Sequence, residues 1–290
     1  MQRTAPGLRI DSAARLAELQ QERPEWQTWL ALLGEAERAL SDTGWHAPLH
    51  DEELRGVTPG QAPLLHGRTL KVDAIRVQQL VHRLTSAATS GNVVVAGSLR
   101  GYQPSSGDSV RLLAAAVRQD LGEIRALADA AGIDRGALTS IAHLAAFPLL
   151  ESCGRLLGDR IPRSWIEGYC PICAAWPILA ERRGLDRTRR LRCGRCGGEW
   201  QVQWLCCTYC GEREHERLGS LVPEERRERL NVETCSSCRG YVKSVATLQR
   251  IPPFELLLRD LESVELDLVA LDRGYARPEE PGFILDIELV

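Results

Sequence analysis

Four Cys-x-x-Cys pairs fall within one stretch of 69 residues: Cys170/Cys173, Cys193/Cys196, Cys207/Cys210 and Cys235/Cys238. They take eight of the ten cysteines in a chain of 290 residues. Two thiols two residues apart can grip one metal ion from a single tight turn, and two such turns complete a tetrahedral set of four sulfurs. Eight paired sulfurs therefore imply two four-cysteine sites. Residues 168–247, which contain them, have few large apolar side chains and need a staple of this kind to fold.

The compartment bears on that reading. The chain starts Met1-Gln2-Arg3-Thr4-Ala5-Pro6, without the apolar run of a signal peptide. No apolar stretch approaches the roughly 20 residues that span a bilayer. The expectation is a cytoplasmic protein without membrane insertion, where paired thiols serve as ligands or redox groups rather than disulfides. A single disulfide-exchange motif would not need four matched pairs. With 36 basic and 39 acidic residues, net charge -3, the whole chain has no bias towards nucleic acid or membrane.

Apolar spacing divides the chain. A helix is expected after Asp11, through Leu16 and Leu19, as far as Pro24. A second runs from about Glu25 to Leu40, a third from Val72 to Ala87, one opens at Asp108, and one capped by Asp134 reaches about Leu157. Residues 41–71 read as a long loop whose His46, His50 and His66 are solvated. Beyond residue 168 the pattern becomes that of strands. Glu199–Trp204 alternates, with Trp200, Val202 and Trp204 on one face, and residues 188–192 and 241–247 are further strands. After Pro252 and Pro253 a helix returns. Its stripe of Leu257, Leu261, Val264, Leu268 and Leu271 is expected to pack onto the first helices, and Gly274 ends it. The fold class is α+β: a helical domain over 1–166, four-cysteine modules over 167–203 and 204–247, and a C-terminal helix and tail over 248–290.

Spacing also bears on which pairs join. Nineteen residues separate Cys173 from Cys193 and 24 separate Cys210 from Cys235, either enough for a returning hairpin. Only ten separate Cys196 from Cys207, and an extended Glu199–Trp204 strand would hold its ends about 20 Å apart. The second and third pairs then belong to different sites. Interleaved pairing would also separate them, but sequential pairing needs fewer crossing connections. The expected ligand sets are Cys170, Cys173, Cys193 and Cys196, and Cys207, Cys210, Cys235 and Cys238. Cys153 reads as a buried apolar residue, and Cys206 and His215 as bystanders. Four sulfurs suit iron or zinc equally.

A closed four-thiolate site leaves no position for substrate, and no acid–base set stands out, which points away from an enzyme. Residues 182–195 carry seven arginines (182, 183, 187, 189, 190, 192 and 195) against Asp186 alone. Such a hairpin can bind phosphates, or its charge can offset thiolate metal centres. The glutamates that follow and the scarcity of stacking aromatics argue against nucleic acid.

The motifs Gly168-Tyr169-Cys170-Pro171-Ile172-Cys173, Leu191 to Trp200 with its Cys193-Gly194-Arg195-Cys196-Gly197-Gly198 core, Cys207-Thr208-Tyr209-Cys210 and Glu233 to Lys243 resemble those of the formate dehydrogenase accessory protein family (FdhE). Asp267-Leu268, Gly274-Tyr275 and, more loosely, Ala62-Pro63-Leu64-Leu65 resemble it as well. The resemblance implies a helical domain followed by two rubredoxin-like modules, each with one metal ion, iron favoured and zinc the alternative. It implies a cytoplasmic, non-enzymatic factor that binds the catalytic subunit of formate dehydrogenase and is needed for its activity. The chain departs from the family at Ala174, where glycine is usual. A Cβ there is expected to shift the turn or weaken an N–H···S bond.

Overall fold

The computed structural model describes residues 12–46, 48–49, 62–89, 99–222 and 230–290, so Asp11 and His50 lie outside the described residues. The helical part contains α1 (Ser12–Glu22), α2 (Gln27–Leu40), α3 (Ala74–Thr89), α4 (Ser106–Arg118), α5 (Leu121–Ala131) and α6 (Arg135–Leu157). Short polar side chains fix where α4, α5 and α6 begin, because they satisfy first-turn N–H groups. Asp134 caps α6 by accepting from Ala137 N at 2.8 Å. Asp108 does not open α4: Ser105 is the cap, and it accepts from the Asp108 N–H at 3.1 Å. The single Ala/Leu-rich helix expected after Asp108 is two, since the chain turns at Gln119 and Asp120 caps α5.

Helix α6 is the centre of this part. From Ala145 to Cys153 it is buried all round, as a helix inside a layer of other helices must be. Helices α2, α3, α4 and α5 pack around it. The expected 41–71 loop contains β1 (Arg68–Leu70), which pairs in parallel with β8 (Ile287–Leu289) from the chain's last residues.

The cysteine region forms one sheet. Strands β2 (Leu179–Arg183), β3 (Thr188–Arg192), β4 (Glu199–Gln201), β5 (Leu218–Leu221), β6 (Leu230–Cys235) and β7 (Tyr241–Thr247) lie in the order β4-β3-β2-β7-β6-β5. Every pairing is antiparallel except β2 with β7, which is parallel with Leu179 opposite Lys243. That one pairing fuses the two hairpin modules edge to edge. Strand β4 is shorter than expected. It stops at Gln201, and Trp204 is 48 % exposed while Trp200 is buried.

A buried ion network sits at the fusion. Glu181 and Arg192 are both fully buried and paired. Glu181 also accepts from Ile251 N at 2.9 Å and from the Thr247 hydroxyl at 3.2 Å, and Arg192 donates to Ile251 O at 2.7 Å. Arg183 and Arg250 converge on Glu199 at 2.9 Å, and Arg189 reaches Glu233 at 2.7 Å. Arg183, Arg189, Arg190 and Arg192 of the hairpin thus face carboxylates of the same sheet, and Arg182, Arg189 and Arg192 are buried.

The C-terminal helix differs from expectation. It breaks at Ser263 into α7 (Pro253–Glu262) and α8 (Val264–Asp272). The Ser263 hydroxyl donates to Arg259 O at 2.7 Å, a local bond that competes with the helix ladder. The break rotates α8. Leu268 and Leu271 of the expected stripe are 61 % and 52 % exposed, while Leu266 and Ala270 are buried. Only α7 packs on the first helices, with Phe254 and Leu258 against Leu16, Leu19, Leu30 and Phe147. Helix α8 packs on β6 and β7.

The Glu199 carboxyl, although partly desolvated, is held down to about 2 by Arg183, Arg192 and Arg250. A lowered carboxyl stabilises the fold above its unfolded value of 4.5 and loses that contribution as pH falls towards about 2. Glu199→Gln should therefore be less stable than the wild type in urea at neutral pH. The gap should close over that acid window.

Candidate metal centres

The structure gathers the eight cysteines into the two sequential sets. Cys170, Cys173, Cys193 and Cys196 form site one, and Cys207, Cys210, Cys235 and Cys238 form site two; within each, the sulfurs lie inside 4.8 Å of one another. In site one Cys170–Cys196 and Cys173–Cys193 are each 3.5 Å apart. In site two Cys207–Cys238 is 3.6 Å and Cys210–Cys235 is 3.8 Å. A tetrahedron of sulfurs about 2.3 Å from a central ion has edges of about 3.8 Å, whereas a disulfide is about 2.05 Å. The donor sets fit a metal ion and are not disulfides.

The same turn is built four times. The residue after the second cysteine of each pair is left-handed: Ala174 at φ 63°, Gly197 at 68°, Gly211 at 72° and Arg239 at 59°. The chain then returns, so that Cys170, Cys193, Cys207 and Cys235 donate their N–H to Ala175, Gly198, Glu212 and Gly240 at 2.8–3.0 Å. Inside the turns Ile172, Arg195 and Tyr209 direct N–H groups at the first sulfur, each at 3.4 Å. The turn at Ala174 is not shifted, and its N–H···S distance equals those of the glycine-bearing turns. The backbone there accepts a left-handed alanine at a cost of roughly 1–2 kcal/mol.

The surroundings of the sites differ. All four site-one cysteines are buried, and they belong to the same continuous core as the helices. Leu64 and Leu65, in the Ala62–Leu65 motif, donate N–H groups to Pro171 O at 2.7 Å and Ile172 O at 3.0 Å. Gln119 donates to Cys173 O at 3.3 Å, and Arg195 donates to Ala116 O. A Cβ on Gly154 of α6 would overlap the Cys196 carbonyl oxygen. In site two Cys207 and Cys235 are buried, but Cys210 and Cys238 are exposed.

The remaining candidates stand apart from these sets. Cys153 is fully buried beside site one, and burial pushes its thiol far up. Cys206 is half-buried, with its Sγ 3.7 Å from Cys207 O, and His46 and His215 are exposed. The thiols of site one differ electrostatically. Desolvation raises Cys170 and Cys196 well above the ordinary thiol value. Cys193 is desolvated as well, yet bonds from the thiols of Cys170, Cys173 and Cys196 hold it well below that value.

A model of the FdhE C-terminal domain matches residues 205–283. The chain is 24 % identical over 283 residues to a "Protein FdhE homolog" of Haemophilus influenzae strain PittEE, across 95 % of this chain and 88 % of that one. It is 34 % identical over 122 residues to a "Protein FdhE homolog" of Stutzerimonas stutzeri, an alignment covering 41 % of this chain and 39 % of the relative, well under half of either. The chain is similar to FdhE proteins along most of its length. The crystal structure of the FdhE protein from Pseudomonas aeruginosa has the same fold, with a TM-score of 0.60 over 94 % of both chains at 23 % identity. The domain match takes in Cys207, Cys210, Cys235 and Cys238, so it covers site two, and site one lies ahead of it. No helix among the described residues is long and apolar enough to cross a membrane.

Sequence reasoning missed the supports of site one. Gly154 and Gln119 lie far from the cysteines in sequence and carry no ligand chemistry. Gly154→Ala should drive α6 away from Cys196, because the obstructing atom is backbone and cannot rotate aside. Overpacking of this kind costs about 1–3 kcal/mol. The expected result is a lower melting temperature and metal lost from one site, read by metal analysis of the purified variant, with the other site retained.

Proposed function

We propose that the chain is a non-enzymatic assembly factor that binds the catalytic subunit of formate dehydrogenase in the cytoplasm and is needed for its activity. It carries two metal ions. Cys170, Cys173, Cys193 and Cys196 would hold one, and Cys207, Cys210, Cys235 and Cys238 the other. Iron is favoured by the family resemblance, and zinc fits the same sulfurs. The observation that carries this reading is the pair of four-sulfur clusters at tetrahedral spacing in a chain similar to FdhE proteins along most of its length.

The chemistry of the sites supports a binding role over a catalytic one. An ion with four thiolates keeps no position for substrate, so it fixes the shape of a surface and performs no hydrolysis. Nucleic acid is disfavoured by a specific feature. Arg183, Arg189, Arg190 and Arg192 of the hairpin are committed to Glu181, Glu199 and Glu233, so most of their charge is met inside the sheet.

Two measurements test the reading. Protein purified without oxygen should contain about two ions per chain, as a pair of four-cysteine sites requires. Tagged protein isolated from its own host should retain a formate dehydrogenase catalytic subunit, identified by mass spectrometry. Cys207→Ser should weaken that capture while circular dichroism still reports the helices, since site two lies outside the main core. Cys170→Ser should lower the melting temperature more, since site one is inside it. Full formate dehydrogenase activity in cells that carry both changes would overturn the proposal.

A further inference from the structure

The two sites differ in access. No cysteine of site one is more than 2 % exposed, whereas Cys210 and Cys238 of site two face solvent. An ion at site two can be reached by water or a small chelator without opening the core.

The fourth turn also holds the C-terminal helix. Arg239 follows Cys238 directly and sits in the left-handed position that glycine takes in two of the other turns. Its guanidinium donates to Gly274 O at 3.1 Å and to Arg273 O at 2.6 Å, and it stacks 4.2 Å from the Tyr275 ring. Ala276 N donates back to Arg239 O at 2.9 Å. Arginine here meets carbonyls at and just past the end of α8, where the helix dipole favours a cation. Further along α8 the Tyr241 hydroxyl donates to Asp267 at 2.7 Å. Tyr209, between the ligands of the third turn, donates to Tyr241 O at 2.8 Å. The buried face of α8, Leu266 and Ala270, packs on Val232 and Tyr241 in a small cluster separate from the main core. Lys243 of β7 completes the attachment with Asp267 of α8 at 2.6 Å, and it also meets Asp260 of α7 at 2.7 Å.

These contacts all come from the turns and strands of the site-two module. Helix α8 has nine residues, and helices shorter than about 12–15 residues do not persist in water without packing. Its order is borrowed from the platform beneath it. The β7 side of the platform is held by β2, but its third and fourth turns, which carry Tyr209 and Arg239, are joined where their four sulfurs meet.

We propose that site two is a releasable latch: an ion bound there holds α8 and the turn after it, residues 264–277, and departure of the ion lets that segment detach while site one and the helical domain stay folded. The ion leaves as a divalent cation, and the four thiolates take up protons from water. Nothing is oxidised or reduced. Release frees Leu266 and Ala270 to join Leu268, Val269 and Leu271, which are already exposed, in one apolar segment. The latch rests on the reading that site two holds a metal ion.

Hydrogen exchange measured by mass spectrometry on the full-length, zinc-loaded protein tests it. On titration with EDTA, one ion should leave before the other. As it leaves, peptides from residues 264–277 should exchange about tenfold faster or more, while peptides from α6 and the first two cysteine turns keep their protection. Arg239→Ala should show the same local acceleration with both ions retained, because it cuts the clamp and spares the ligands. Fewer than two ions bound to the wild-type protein would overturn the metal reading, and the latch with it. Two ions bound, with residues 264–277 unchanged after the first departs, would overturn the latch alone. So would acceleration spread equally over α6, which would mean global unfolding.

Discussion

The parallel pairing of β2 with β7 is the constraint on which the rest of the structure depends. It turns two cysteine hairpins into one six-stranded sheet, and at its centre stands the fully buried Glu181. A carboxylate taken out of water needs its charge met and its lone pairs filled. Arg192 from β3, Thr247 from β7 and Ile251 N from the approach to α7 do this together. The same carboxylate therefore fixes the first hairpin, the second hairpin and the entry of the C-terminal helices. Polar satisfaction sets the geometry between the sites here, and apolar packing fills in around it.

Local chemistry was legible in the sequence, and long-range pairing was not. Cysteine spacing separated the two sulfur sets because an intervening stretch cannot fold back on itself, although β4 proved shorter than its alternation suggested. Strands 188–192 and 241–247 and the Asp134 cap were readable because each rests on neighbours in the chain. The β2–β7 seam joins residues more than sixty positions apart, and no period or turn residue announces it. The C-terminal stripe held for Leu257 and Leu261, which pack on the first helices, and misled beyond them for a physical reason. A run of leucines at spacings of three and four describes one continuous helix, and the Ser263 break rotates the second half onto a different face. At Ala174 the family comparison suggested a disturbed turn, but the core around it holds the left-handed backbone that glycine would have adopted freely.

The arginine-rich hairpin shows how composition and placement diverge. Seven arginines in fourteen residues read as a cationic surface. Three of them are buried, and two of these meet carboxylates of the same sheet, Arg192 with Glu181 and Arg189 with Glu233. The planar guanidinium suits this role, since it can serve several acceptors at once while its stem packs among apolar groups. Charge concentrated in sequence is here spent on internal cohesion.

Site one has one more consequence, which concerns biogenesis. Its sulfurs belong to the same core as the helices, with α6 pressed against Cys196 and the Leu64–Leu65 backbone hooked onto the first turn. An ion taken up there would have to enter before α6 docks, because afterwards no cysteine of the set is more than 2 % exposed. It would then exchange far more slowly than an ion at site two, where Cys210 and Cys238 are exposed. Which metal it was would reflect the supply at the moment of folding.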